Sequence, residues 1–355
     1  MGESKYIVRV SCRTYNHAPY IKDALTGFCM QETSFPFVCT IIDDASTDGE
    51  PEVIKQYLSD HFDLEDKMVV RDEETDDYFL TFAQHKTNNN CFFVVLFLKY
   101  NHYSKKKTIR PYIEEWCNTK YVALCEGDDY WIDPRKIEKQ VEYLEHNQNV
   151  SMCFHSAYEI DEEKEKKVLF SNIEDRYYSD VEIFSKFIVP TASVVFKAKV
   201  LSSPLLFKFK QDNRINVGDL SIWLSCCREG YVRGFSRVMS VYRRHGGSWT
   251  RNNNSKKQMA GAYRQEAIMQ IYGSNLKKIG KKKYVSFAVS AYLLSVKEGN
   301  PCYKYLVSTF FKYPRETLLL LFKYIVRHKD DIKRVKQNTA DIKNNRDVVG
   351  KINVN

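Results

Sequence analysis

The chain has 355 residues, 43% of them apolar and 28% charged, enough to bury one large core and a smaller annex, which excludes a disordered protein. Its ten cysteines are scattered without a CxxC pair, which argues against a zinc site or a disulfide framework and for buried free thiols in a reducing compartment. The formal charge of +9 favours phosphorylated small molecules or an anionic membrane surface. No helix-turn-helix, zinc-finger or aromatic RNA-binding signature accompanies it, so a nucleic-acid partner is not expected.

The first ten residues carry Glu3, Lys5 and Arg9 and no sustained apolar core, which predicts no cleavable leader and a cytoplasmic place of action. Residues 6–10 form a β-branched run, followed by a polar loop over 11–17. Ile21, Leu25 and Phe28 then recur on one helical face, and a second strand over 37–42 ends in Asp43-Asp44-Ala45-Ser46-Thr47-Asp48. This is a βαβ pattern, whose parallel strands deliver both polar loops to one sheet edge. Residues 60–92, rich in acids and then polar, read as an insertion before a third strand over 92–97; their clustered carboxylates suit a solvated loop better than a metal site. A basic loop over 100–107 follows, placed to contact a base or phosphates at the same edge.

The run Tyr121-Val122-Ala123-Leu124 leads directly into Cys125-Glu126-Gly127-Asp128-Asp129-Tyr130-Trp131. Carboxylates at the end of a strand lie where open α/β sheets bind ligands. Glu126, Asp128 and Asp129 supply hard oxygens that suit Mg²⁺ or Mn²⁺, ions that commonly sit on nucleotide phosphates. The alternative is a charged turn capping a helix that starts near Asp133-Pro134. Strand-like runs at 151–155 and 191–196 are expected to finish the sheet and form part of the acceptor side. Asp219 precedes an apolar helical run. From residue 251 the pattern turns helical, with 252–255 as a mobile linker and a lysine-rich stretch over 277–283. The apolar run 317–326 is too short to span a bilayer. With Lys312, Arg315, Lys323, Arg327 and Lys329 around it, this run either lies on the inner membrane surface as a peripheral contact or packs on the catalytic domain. The charged tail from Arg327 is expected to fray.

Four segments in this order, Thr14-Tyr15-Asn16-His17, residues 42–48, residues 126–131 and Tyr242-Arg243-Arg244-His245-Gly246-Gly247-Ser248, resemble the family-2 glycosyltransferases. These are inverting enzymes with the nucleotide-sugar-binding fold called GT-A. The resemblance implies a Rossmann-like α/β domain over 1–250, with a mixed, mainly parallel sheet flanked by helices, and a C-terminal helical annex over 251–355. It assigns Tyr15 and Asp44 to the uracil ring, types chemically suited to stacking and to accepting a ring N–H. Arg13, Thr14, Asn16 and Gly127 are implied beside them, Glu126 near the ribose and Asp128 on the metal, with Asp129 behind it or on the substrate. The family more often has Asp at the position of Glu126. It also implies Asp219 as the base that takes the acceptor proton, His245 as a further metal ligand, and Arg243 or Arg244 at the diphosphate.

Plainer readings stand beside these. Asp43, Asp44 and Asp48 suit Asx-turns or caps, Asp219 an N-cap, and the Arg-Arg-His loop a solvated basic turn. The function expected is a transferase using Mn²⁺ or Mg²⁺, moving a hexose or N-acetylhexosamine from a UDP-sugar to a saccharide or lipid-linked acceptor in a growing bacterial surface glycan. The alternative is a non-catalytic nucleotide-sugar-binding partner in a polysaccharide assembly complex. A nucleotidyltransferase would want a glycine-rich, basic first loop that is missing here.

Overall fold

The computed structural model describes residues 5–65, 70–215, 218–246 and 254–327. Gly247 and Ser248 of the fourth segment, Asn252 and Asn253 of the expected linker, and the tail after Arg327 lie outside the described residues. The chain divides into two compact units, with the boundary after Asn252.

The first unit is a mixed α/β sheet with helices. Strand β1 (Val8–Thr14), helix α1 (Ile21–Cys29) and strand β2 (Phe37–Asp43) form the expected βαβ unit, β1 pairing parallel to β2 from Val8↔Phe37 to Thr14↔Asp43. β1 runs four residues beyond the apolar stretch, so Arg13 and Thr14 belong to the strand and not to a loop. Ladder pairing with β2, which continues to Thr14↔Asp43 after the β7 ladder ends at Ser11, outweighs the polar side chains there. β2 is buried on both faces, the reason a continuous apolar run is tolerated.

Helix α2 (Glu50–His61) leads into β3 (Phe62–Asp63), β4 (Arg71–Glu74), β5 (Tyr78–His85) and β6 (Cys91–Leu98). Strands β3, β4 and β5 therefore extend the sheet by antiparallel pairing where an irregular loop was expected. Tyr78 and Leu80 alternate inward, while Asp72 and Glu74 of β4 stay exposed and find local partners, Asp72 accepting from Thr81 at 2.7 Å and Glu74 pairing with Lys99 at 2.8 Å. The alternation was hidden by the charges around it.

Strands β7 (Tyr121–Leu124) and β8 (Tyr130–Trp131), helix α3 (Lys136–His146), strands β9 (Val150–Asp161), β10 (Lys166–Leu169) and β11 (Tyr177–Tyr178), helix α4 (Asp180–Ser185), strand β12 (Val195–Lys197), helices α5 (Pro204–Gln211) and α6 (Gly218–Glu229), and strand β13 (Tyr231–Arg244) complete the unit. The strand order is β11-β13-β9-β12-β7-β1-β2-β6-β5-β3, with β7-β1-β2-β6 wholly parallel. Carboxyl ends of β1, β2, β6 and β7 consequently open on one edge.

Trp131 locks the last acidic segment to the core. Its ring meets Phe28 edge-on at 5.0 Å and its Nε1–H donates to Ala192 O at 2.8 Å. Gly27 lies against the Trp131 backbone, where a Cβ would come within 2.9 Å of the amide nitrogen. Lys136 is wholly buried beneath, its Nζ 4.2 Å from the Trp131 ring centre and donating to Gln140 Oε1 at 2.9 Å.

The second unit is helical: α7 (Ser255–Tyr272), α8 (Lys277–Lys297), α9 (Tyr303–Lys312) and α10 (Pro314–Arg327). Met259, Ala262, Tyr284, Val285 and Ala288 make its core, with Leu306, Tyr313 and Leu320 packed against them. Asn254 is the N-cap of α7, accepting from Lys257 N–H at 2.8 Å, and Ser255 bonds to Glu298, so this half of the expected linker is ordered helix start. Among the described residues no helix is long and apolar enough to cross a membrane. All ten cysteines are free, six of them buried.

Burial pulls Lys136 down from 10.5 to about 7. The unfolded chain then holds a proton the folded chain lacks between those values, so this residue's contribution to stability rises with pH from about 7 to about 10.5 and is flat below. Urea unfolding of wild type and Lys136→Met across that range should show wild type gaining on the variant as pH rises. A gap that stays constant with pH would contradict the burial of an uncharged lysine.

Candidate functional site

Four loops and two flanking segments meet at the carboxyl edge. The first two are tied together by Glu50, the opening residue of α2, which is fully buried. Its carboxylate accepts from the Thr14 hydroxyl, from His17 N–H at 2.9 Å and from Ser46 Oγ at 2.9 Å. Asp48 accepts from Ala18 N–H at 2.9 Å and from Glu50 N–H at 3.1 Å, a capping arrangement. Asn16 adopts a left-handed backbone (φ 57°) and its Oδ1 accepts from Thr47 N–H at 2.8 Å. Asp43 is buried at the end of β2, accepting from Ser46 N–H at 3.3 Å, and burial pushes its carboxyl up to about 6.

Asp44 turns to the loop after β6. Its carboxylate accepts from His102 N–H at 2.6 Å and Tyr103 N–H at 3.1 Å, and its carbonyl from Asn101 Nδ2 at 3.2 Å. The acidic side chain thus orders the 101–103 loop, the Asx-type role. Tyr15 stands at the same edge and is 45% exposed.

The third loop is set by Gly127, whose N–H donates to Arg13 O at 3.0 Å and whose missing side chain leaves room for Thr14; a Cβ there would overlap the Thr14 hydroxyl. The loop turns Asp128 toward two imidazoles. His245 Nε2 lies 3.1 Å from Asp128 Oδ2, and His17 Nε2 lies 3.9 Å from the same oxygen. The rings of His17 and His245 stand perpendicular, 5.6 Å apart, and Thr14 Oγ1 holds His17 Nδ1 at 3.2 Å so that Nε2 points inward. One ligand atom from each of the three lies within 4.8 Å of the others. Asp128 Oδ1 is buried with no hydrogen-bond partner. An orphaned carboxylate oxygen beside two imidazole nitrogens fits a divalent cation. Burial works to raise Asp128, but the His245 hydrogen bond and both imidazoles hold it below the ordinary range.

Asp129 faces the other way, buried, accepting from Arg243 N–H at 2.9 Å, and burial raises its carboxyl well above the usual range. Glu126 is exposed to solvent at the edge, with protein packed closely on its sides. That crowding, then the charges of Asp219 and Asp128, push it up to about 8, with Arg13 opposing. Glu126, Asp128 and Asp219 thus form one group of neighbouring carboxylates. Asp219, in the first turn of α6, accepts from Thr191 Oγ1 at 2.9 Å, and its carboxyl is raised by burial against that hydrogen bond and Arg13.

The two arginines of the fourth segment part company, as strand neighbours do. Arg243 is buried under the site, donating to Asp128 O at 3.0 Å, Asp23 at 2.7 Å and Glu162 at 2.7 Å between the rings of Tyr20 and Tyr130. Its guanidinium is spent on holding the third loop. Arg244 pairs with Glu159 at 3.1 Å, half-exposed on the opposite side of β13. Arg13, exposed near Glu126 and Asp219, is the better placed cation.

His17, Glu50 and Thr191 were not singled out from the sequence. His17 carried a signal, as an imidazole at the end of β1 in the first matched segment. Glu50 looks like an ordinary acid in a first helical turn, and Thr191 sits in a separate run; only the topology brings them in.

Residues 1–349 of TarS from S. aureus, crystallised with UDP-GlcNAc, superpose with a TM-score of 0.50 at 12% identity, over 90% of this chain and 80% of that one. The fold is shared with GT-A glycosyltransferases. In sequence, uncharacterized proteins of Mycobacterium bovis and Mycobacterium tuberculosis are 30% identical over 240 residues, 66% of this chain. The match spans only 58% of the length of those relatives. An uncharacterized glycosyltransferase of Methanocaldococcus jannaschii is 24% identical over 242 residues, 65% of this chain and 68% of its own length. No family model matches the chain.

Removing the Glu50 carboxylate leaves the Thr14 and Ser46 hydroxyls and the His17 amide without their acceptor. Glu50→Ala should cost about 1–3 kcal/mol in urea unfolding and weaken Mn²⁺ binding, because His17 loses its anchor. Unchanged Mn²⁺ affinity, by calorimetry on the folded variant, would show that the loop holds His17 without it.

Proposed function

We propose that the chain is a metal-dependent inverting glycosyltransferase that moves a hexose or N-acetylhexosamine from a UDP-sugar to a saccharide or lipid-linked acceptor in a bacterial surface glycan, acting at the cytoplasmic side. The observation that carries this reading is the convergence, at one sheet edge, of the His17–Asp128–His245 group with Glu126 and Asp219. The likeness to TarS supports it through the fold alone.

In this reading Tyr15 offers its exposed ring to the base, and the loop ordered by Asp44 forms the wall beside it. Glu126, longer by one methylene than the aspartate more usual in the resembling family, reaches the ribose. A divalent cation held by His17, Asp128 and His245 would offset charge on the departing nucleoside diphosphate. Arg13 adds a positive charge on the acceptor side of the same opening, close to Asp219. Asp219 takes the proton of the acceptor hydroxyl as the new C–O bond forms and the bond to the diphosphate breaks, a single displacement that inverts the anomeric carbon. Burial raises the carboxyl of Asp219, which brings a base closer to working pH, and Thr191 fixes which oxygen faces outward.

Purified protein with Mn²⁺ and a panel of nucleotide sugars should release nucleoside diphosphate, by transfer or slow hydrolysis. Asp219→Asn should lose about 10²–10⁴-fold of that turnover while UDP and Mn²⁺ still raise its unfolding midpoint. Full activity of the variant would refute the base assignment, and wild type that binds donor without any turnover would make the chain a binding partner instead of an enzyme.

A further inference from the structure

Residues 277–327 hold eleven lysines and arginines against two acids, Glu298 and Glu316, a net of +9 that equals the formal charge of the entire chain. All other residues together balance to zero. The same segment exposes apolar side chains in stripes rather than singly. On α9, Tyr303, Val307 and Phe311 recur one helical turn apart and face solvent, Phe311 at 79% exposure. On α10, Leu318, Leu319 and Phe322 follow the exposed Arg315 at i+3, i+4 and i+7, Phe322 at 67%.

Packing within the helical unit fixes which way these stripes point. Thr309 and Thr317 are buried on the opposite faces, Thr317 Oγ1 donating to Tyr313 O at 2.7 Å, and Leu306, Tyr313 and Leu320 lean on the α7–α8 core. Lys281 lies 5.7 Å from the ring centre of Tyr313, so the lysine-rich start of α8 borders the corner where α9 meets α10. Large apolar side chains in a surround that is mostly basic, Glu316 on α10 and the Glu266 partner of Lys312 being the nearby acids, mark a docking face and not a random scatter of surface residues.

We propose that the exposed face of α9 and α10 docks on the surface of a bilayer containing anionic phospholipid. Phe311, Leu318, Leu319 and Phe322 enter the boundary between headgroups and acyl chains, while the lysines and arginines around them meet lipid phosphates. Charge decides between occupants. A second copy would set +9 against +9. Residues 328–355, with seven lysines and arginines against four aspartates, would also be repelled. A nucleic acid would satisfy the charge and leave the apolar stripes in water. The inference stands independently of the transfer reaction, since docking is measured without turnover.

The test is cosedimentation of the full chain with vesicles of phosphatidylcholine alone and of phosphatidylcholine mixed with phosphatidylglycerol. Binding is expected to the mixed vesicles only, and to weaken in high salt. The triple variant Leu318→Ser, Leu319→Ser, Phe322→Ser should bind mixed vesicles at least about tenfold more weakly. Its unfolding midpoint and its response to UDP with Mn²⁺ should be unchanged, because all three side chains are exposed in wild type. No binding to mixed vesicles would overturn the proposal, as would binding that survives the triple variant. Self-association in sedimentation velocity that the triple variant abolishes would also overturn it, by assigning the face to a second copy.

Discussion

A single buried carboxylate, Glu50, organises the edge on which the site is built. It lies at the amino end of α2, where the helix dipole favours negative charge, and gathers donors from β1, from the loop after β1 and from the loop after β2. Parallel strands deliver loops to a common edge but do not fix them there. Glu50 does, by giving the Thr14 hydroxyl, the His17 amide and the Ser46 hydroxyl one shared acceptor. Thr14 in turn holds His17 Nδ1 and fills the space that Gly127 leaves, so the first and third loops are positioned by the same side chain.

The electrostatics of the edge follow from that convergence. Glu126, Asp128 and Asp219 lie close enough that burial and mutual repulsion raise Glu126 and burial raises Asp219, while the imidazoles at Asp128 pull the other way. Arg243 relieves none of this at the mouth, because its guanidinium is occupied by Asp23, Glu162 and the Asp128 carbonyl. The protein therefore keeps a concentration of negative charge at an open edge, with Asp128 Oδ1 buried and unpaired on the carboxylate that faces the two imidazoles. Such an arrangement gains most from a bound cation, and in the proposed function the donor's diphosphate arrives with it.

Much of the fold was legible in the chain. The βαβ start, the strand over 92–97 and the acidic segment after Leu124 follow from apolar runs ending in polar loops, signals that local sequence carries. The polar end of β1 and the strands over 62–85 were not legible, because backbone pairing in a sheet can recruit residues whose side chains read as loop. In the site, Asp128 and His245 could be named from sequence and the structure brings them within 3.1 Å. Arg244 could be named as well, yet strand alternation turns it to Glu159. Glu50 and Thr191 had no local mark, since what distinguishes them is a partner 36 or 28 residues away.

The central claim is that two imidazoles and one carboxylate, from three separate segments, hold a divalent cation at this edge. Pulsed electron paramagnetic resonance of Mn²⁺ bound to the protein with UDP, comparing natural-abundance and ¹⁵N-histidine samples, reads the ligands directly. The account predicts nitrogen couplings from two histidines that change with the label and drop to one in His17→Ala. A spectrum with oxygen ligands only, insensitive to the label, would contradict it.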